Sequence, residues 1–148
     1  MKNNKTPKLD LNMSERAALR KNKIKTSEIV NFSTTQLSSL LSISDLRARE
    51  LRALAEFQII PSIGPKFAKD LIQLGYYSLD DLRGKDGALL IEELEKLCGV
   101  WMDPCVEDQF RLVVHYASDR NSNKQWWDFT EERRKYREQY GYPLDRPK

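Results

Sequence analysis

The nine residues from Ile60 to Ala68, IPSIGPKFA, hold the side chains and spacings best suited to chemistry, and that chemistry is anion capture. They read as an apolar anchor, a tight turn, and a helix launched at Pro65. Pro65 suits the first helical position, where its missing N–H would lack a partner in any case. Gly64 allows a positive φ, or a close ligand approach that a Cβ would block. The first N–H groups of a helix have no acceptor within it, and they sit at its positive end. A turn of this kind therefore offers a phosphate site, and Lys66 and Lys69 add cations beside it. The predicted contact residues are Ser62, Ile63, Gly64, Pro65, Lys66, Phe67 and Lys69.

Other reactive residue types do not assemble into a catalytic set. Cys98 and Cys105 flank a turn, but His115 is the single histidine, and Met102 and Asp103 do not complete a zinc set. The cysteines read as buried packing residues. His115 reads as a helix-face residue, and Glu92, Glu93 and Glu95 as a solvated helix face. No Ser/His/Asp or Cys/His arrangement emerges, and no paired carboxylates stand at metal-ligand spacing. The expectation is a non-enzyme without cofactor or metal.

The elements that would carry the turn are helical throughout. Phe32-Ser33-Thr34-Thr35-Gln36 opens a helix, with a Ser or Thr cap ahead of Leu37, Leu40 and Leu41. Ser44-Asp45 opens the next, with Leu46, Leu51 and Leu54 inward and Arg47, Arg49 and Arg52 outward. Phe67, Ala68, Leu71, Ile72 and Leu74 recur at helical spacing after Pro65, and Gly75 ends that helix. A short helix over 78–82 follows, then one over 88–98 with Leu89, Leu90, Ile91, Leu94 and Leu97 as its stripe. Asp103-Pro104 starts a helix bearing Val106, Phe110, Val113 and Val114. Trp126, Trp127 and Phe129 pin a charged helix from Glu131 to Tyr140 onto the core, and the chain ends extended. No strand is evident.

Charge divides the chain of 148 residues unevenly. Residues 1–25 carry eight Lys/Arg against two acids, 26–119 nine against fifteen, and 120–148 eight against five. The expected organisation is a mostly disordered basic tail (1–25) with a short helix through Ser14–Arg20, a helical domain (26–120), and a linker with a docked charged helix (121–148). There is no run of about 18 apolar residues to span a membrane, and no apolar signal segment at the start. Two cysteines make no disulfide framework. A cytoplasmic protein is the simplest expectation.

The Ile60–Phe67 turn resembles the helix-hairpin-helix motif, a sequence-nonspecific clamp on DNA backbone. Leu97-Cys98-Gly99-Val100 with Asp103-Pro104 resembles a second, degenerate copy that packs rather than binds. Ile60–Asp81, then Leu82-Arg83-Gly84-Lys85-Asp86, Met102-Asp103-Pro104-Cys105-Val106, Phe110-Arg111 and Trp126-Trp127 together resemble the bacterial pathogenicity-locus family across roughly residues 50–130. That resemblance implies an all-α fold and a presumed DNA-binding role, and the residues read as a compact bundle built on one competent and one degenerate hairpin. The hairpin resemblance implies backbone contacts from Ser62, Gly64, Lys66 and Phe67. Some such hairpins also hold a potassium or sodium ion on turn carbonyls, which here would be those of Gln58, Ile60 and Ile63. The usual motif has glycine where this chain has Ser62. The alternative function is a protein-interaction module, which requires an exposed apolar patch near Trp101 or Tyr76-Tyr77.

Overall fold

A computed structural model describes residues 5–148; the part of the expected tail that falls on residues 1–4 lies outside the described residues. The described chain is helical, without a strand. It divides into two packed units. One holds the residues up to Ile60 together with Gly64–Ser78, and the other holds Pro61–Ile63 together with Leu79–Lys148.

The first unit contains α1 (Met13–Lys21), a 3₁₀ segment (Thr26–Asn31), α2 (Thr34–Leu41), α3 (Asp45–Phe57) and α4 (Pro65–Gln73). Ser33 and Ser44 cap α2 and α3 by accepting the N–H of Gln36 and Arg47. These caps satisfy backbone donors that would otherwise lack partners. Leu19, Ile29, Leu37, Leu41, Ala48, Leu51 and Ala55 form one buried cluster, with Leu9 and Leu11 packed against it.

Within the stretch expected to be mostly disordered, the short helix expected through Ser14–Arg20 is present as α1 and packs into this unit through Leu19. Asn12 accepts the Glu15 N–H, and the Glu15 carboxylate accepts the Asn12 N–H, so α1 begins with a capping box. Glu15 is 1 % exposed. Its two oxygens accept Arg47 Nε at 2.8 Å and Nη2 at 2.9 Å. Ahead of α1, the Gln58 side-chain amide exchanges two 2.9 Å hydrogen bonds with the backbone of Lys8. Arg47, expected to point into water, is what anchors the helix. Leu46, expected inward, is 57 % exposed, and the small Ala48 and Ala55 take the inner positions beside Leu51.

The second unit contains a 3₁₀ turn (Asp80–Leu82), α5 (Gly87–Cys98), α6 (Pro104–Ser118), a 3₁₀ segment (Trp126–Phe129) and α7 (Thr130–Tyr140). Helices α5 and α6 pack closely at Gly87, where a Cβ would stand 2.9 Å from the Arg111 backbone nitrogen. Leu90, Ile91 and Leu94 of α5 meet the core, as do Phe110, Leu112 and Val113 of α6. Leu89 and Leu97 do not, because each lies at the edge of the α5 stripe and stays more than half exposed. Phe129 is buried and lies against the His115 ring, 5.6 Å between centroids, so it docks as expected, whereas Trp126 is half-buried and Trp127 is exposed.

The polar interior of this unit is a correction to the sequence reading. Glu95, Glu107 and Asp108 are each 1 % exposed and paired. Arg146 grips Glu95 at 2.9 and 3.0 Å, and the Met102 N–H adds a third hydrogen bond at 2.8 Å. Arg137 and Arg111 both reach Glu107, while Arg133 and the Thr130 hydroxyl reach Asp108. Burial pushes the Glu95 carboxyl up, but Arg146 and the Met102 N–H outweigh it and hold the group below the ordinary range. Glu95 is therefore no solvated face residue, and the chain after Tyr140 is no loose extension.

Candidate nucleic-acid interface

The predicted turn departs from its expected geometry at two residues. Ser62 carries the left-handed conformation, with φ of 61°. Gly64 does not; its φ of −103° and ψ of −175° are extended, as befits the residue that precedes α4. The hydroxyl of Ser62 explains why serine is found there. It donates to the Pro61 carbonyl at 2.6 Å and accepts the Trp126 N–H at 3.1 Å, within the second unit. A glycine would relieve the backbone but could not hold Trp126.

Gly64 needs no special backbone freedom, and a Cβ built on it would meet nothing within 4 Å. Space is therefore open on the side of Gly64 where a side chain would project. Gly64 O accepts the Ala68 N–H at 3.1 Å, which sets the first helical turn. Pro65 occupies the first helical position, and no side chain caps the helix. The N–H groups of Gly64 and Lys66 have no acceptor among the described residues. Lys66 and Lys69 are exposed, whereas Phe67 and Ile63 are buried and serve packing.

Neighbouring acids temper this cationic end. Lys69 Nζ lies 3.6 Å from Asp10, in a pair that is half exposed on both sides. Such pairs contribute little and yield readily to a competing anion. Burial pushes the Asp70 carboxyl up, against the pull of Lys66 one turn earlier. A cleft of about 310 Å³ beside Lys69 is lined by Arg47 but also by Asp10 and Glu50. Lys69 lines it too, and the mixed charge makes it a poor anion site.

Packing redistributes the charge read along the sequence. Residues 5–60 and 64–78 carry twelve Lys/Arg against seven acids, a net of +5. Residues 61–63 and 79–148 carry twelve against fifteen, a net of −3. The helix with the open N-terminus thus belongs to the basic unit. Arginines of the C-terminal stretch are spent instead on buried acids.

The remaining reactive side chains differ in exposure and in partners. His115 Nε2 lies 3.1 Å from the Ser122 hydroxyl. Cys98 is exposed, contrary to expectation, because it sits at the end of α5 just before the left-handed Gly99. Cys105 is partly buried, and burial beside Asp103 raises its thiol to about 11. Among the described residues, no group of His, Cys, Asp or Glu side chains could hold a metal ion. No described helix is long and apolar enough to cross a membrane.

Fold and turn together define an all-helical protein in which packed helix pairs, α3 with α4 and α5 with α6, are joined by tight turns. The chain belongs to the Cdd1 family, described as "Pathogenicity locus", whose model matches residues 50–135. That match takes in the turn, α4, α5, α6 and the aromatic segment, and leaves α1 and α2 outside. No curated protein and no solved structure matches the chain.

Proposed function

We propose that this protein binds DNA backbone without sequence preference and without catalysis, through the start of α4. The observation that carries the reading is the helix N-terminus at Gly64 that no side chain caps, with unpaired N–H groups, open space beside Gly64 and two exposed lysines in its first turns. Backbone N–H groups and lysines at such an end contact phosphate and carry no base information. The contact centres on Gly64, Lys66 and Lys69, because the Ser62 hydroxyl is engaged by Trp126. The test is fluorescence anisotropy of a labelled duplex titrated with the full chain at several salt concentrations. Lys66→Glu should weaken binding roughly 10- to 100-fold, since a hydrogen bond to a charged group contributes about 1.5–3 kcal/mol. Unchanged affinity in that variant would overturn the assignment.

A second reading rests on a different observation. Leu97, Val100 and Trp101 are 54, 54 and 62 % exposed around the turn after α5. An apolar cluster of this kind supports a protein-docking surface. Trp101→Ser abolishing capture of a partner, with Lys66→Glu leaving it intact, would favour that reading over the first.

A further inference from the structure

Residues 16–25, RAALRKNKIK, hold five cations and no acid. Arg16, Arg20, Lys21, Lys23 and Lys25 are all exposed. None has a carboxylate within ion-pair distance among the described residues. The contrast with the other unit is sharp, since Arg111, Arg133, Arg137 and Arg146 each grip at least one carboxylate there.

These cations stand on a fixed backbone. The capping box and the Glu15–Arg47 pair anchor the start of α1, and buried Leu19 anchors its middle. At its end, Asn22 Nδ2 donates to Ala18 O at 2.8 Å. The chain then reverses through left-handed Lys23, with the Ile24 N–H on Leu19 O at 2.9 Å. The Lys25 N–H closes on Glu28 Oε1 at 2.8 Å. Arg20 and Lys21 gain from the negative end of the helix dipole, but five like charges on one short stretch repel each other. Partnering with an external polyanion would remove that repulsion.

We infer that α1 and its reversal through Lys25 form a second polyanion-binding surface, and that its partner is the phosphate backbone of duplex nucleic acid. Arg16 and Arg20 lie one turn apart, about 6 Å along the helix axis. A duplex strand presents a phosphate about every 3.4 Å of its own axis, so the pair can bridge neighbouring phosphates. An anionic membrane is disfavoured, because binding in the interface needs an exposed apolar face. The apolar side of α1 is already packed into the core around Leu19, and Met13 is the one large apolar residue it exposes among the described residues. This surface shares its ligand class with the reading above but none of its residues.

The test compares full-length variants by duplex anisotropy between about 50 and 200 mM salt, where each phosphate contact contributes about 0.9 to the log–log slope. The triple variant Arg16→Gln, Arg20→Gln, Lys21→Gln should shed about 2–3 from that slope. The charge-preserving variant Arg16→Lys, Arg20→Lys, Lys21→Arg should retain it. If the triple variant loses helicity, the single exchanges Arg16→Gln and Lys25→Gln read the same slope, each shedding about 0.9. An unchanged slope in these variants overturns the inference, and leaves the α4 reading standing if Lys66→Glu still loses binding. A reduced slope in them, with Lys66→Glu silent, upholds it and removes the α4 reading. Binding to phosphatidylserine vesicles without duplex binding would overturn the nucleic-acid assignment.

Discussion

Replacing Arg47 with Met should reverse the sign of the acid dependence of stability. In the native protein the hydrogen bonds from Arg47, against the opposing effect of burial, hold the Glu15 carboxyl below its ordinary 4.5. A depressed carboxyl stabilises the fold above its unfolded pKa, and that contribution is lost as pH falls through the lower folded value. Without Arg47, a carboxylate 1 % exposed keeps one hydrogen bond, from the Asn12 N–H at 3.0 Å. Burial then dominates, the pKa rises above ordinary, and the penalty is relieved as pH falls. The penalty from the stranded charge has a ceiling, because the group can instead take a proton. At pH 7 that escape costs about 3.4 kcal/mol for a carboxyl of ordinary pKa. A loss of about 3 kcal/mol at pH 7 is therefore expected, in line with breaking other buried pairs. Urea unfolding at pH 7 and pH 5 measures both the loss and its slope. Arg47→Met combined with Glu15→Gln should recover most of it, since no charge is then stranded. A loss below about 1 kcal/mol, with acid dependence of the native sign, would refute the claim that this pair anchors α1.

Further outcomes follow from particular side chains. Gly64→Ala should change stability by less than about 1 kcal/mol, because a Cβ meets open space there and lost capping offsets reduced chain entropy. It should nonetheless weaken duplex binding, and unaltered affinity would remove any need for close phosphate approach at Gly64. Gly87→Ala should destabilise by about 1–3 kcal/mol in denaturant melts, since its methyl would press on the Arg111 backbone. Alkylation at pH 8 should label exposed Cys98 well before Cys105, whose thiol ionises only near 11. Equal rates by mass spectrometry would contradict that ordering. Arg146→Ala should release the residues after Gly141 to proteolysis and destabilise the fold most at neutral pH, where the buried Glu95 is left charged.

Local signals carried well from sequence to structure. Ser33, Ser44 and Asp103-Pro104 start helices where their hydroxyls, carboxylate and fixed φ suit them, and Gly64-Pro65 does the same for α4. The misreadings involve partners distant in the chain. Glu15 looks like one more charge in a Lys-rich stretch until Arg47, 32 residues away, is placed against it. Glu95 looks solvated until Arg146 arrives from 51 residues away. Charge counted by position therefore paired the wrong segments. One local clue to α1 was present, the Asn12-x-x-Glu15 spacing of a capping box ahead of an acid-free cationic run. At the turn, glycine invited a left-handed reading, but the tertiary hydrogen bond to Trp126 moved that conformation to Ser62.

The three residues Pro61–Ile63 set a limit on how the protein can be dissected. They leave the first unit in mid-sequence, pack with the second, and return the chain at Gly64. Ile63 is fully buried in this excursion. A cut after Ser78, the natural-looking place to divide the chain, would deprive the C-terminal piece of an interior side chain and of the hydroxyl that holds Trp126. Losing a buried side chain of that size costs about 2–5 kcal/mol, a large share of what a piece of some 70 residues can hold in reserve. Neither unit can therefore be excised whole by a single cut in the chain.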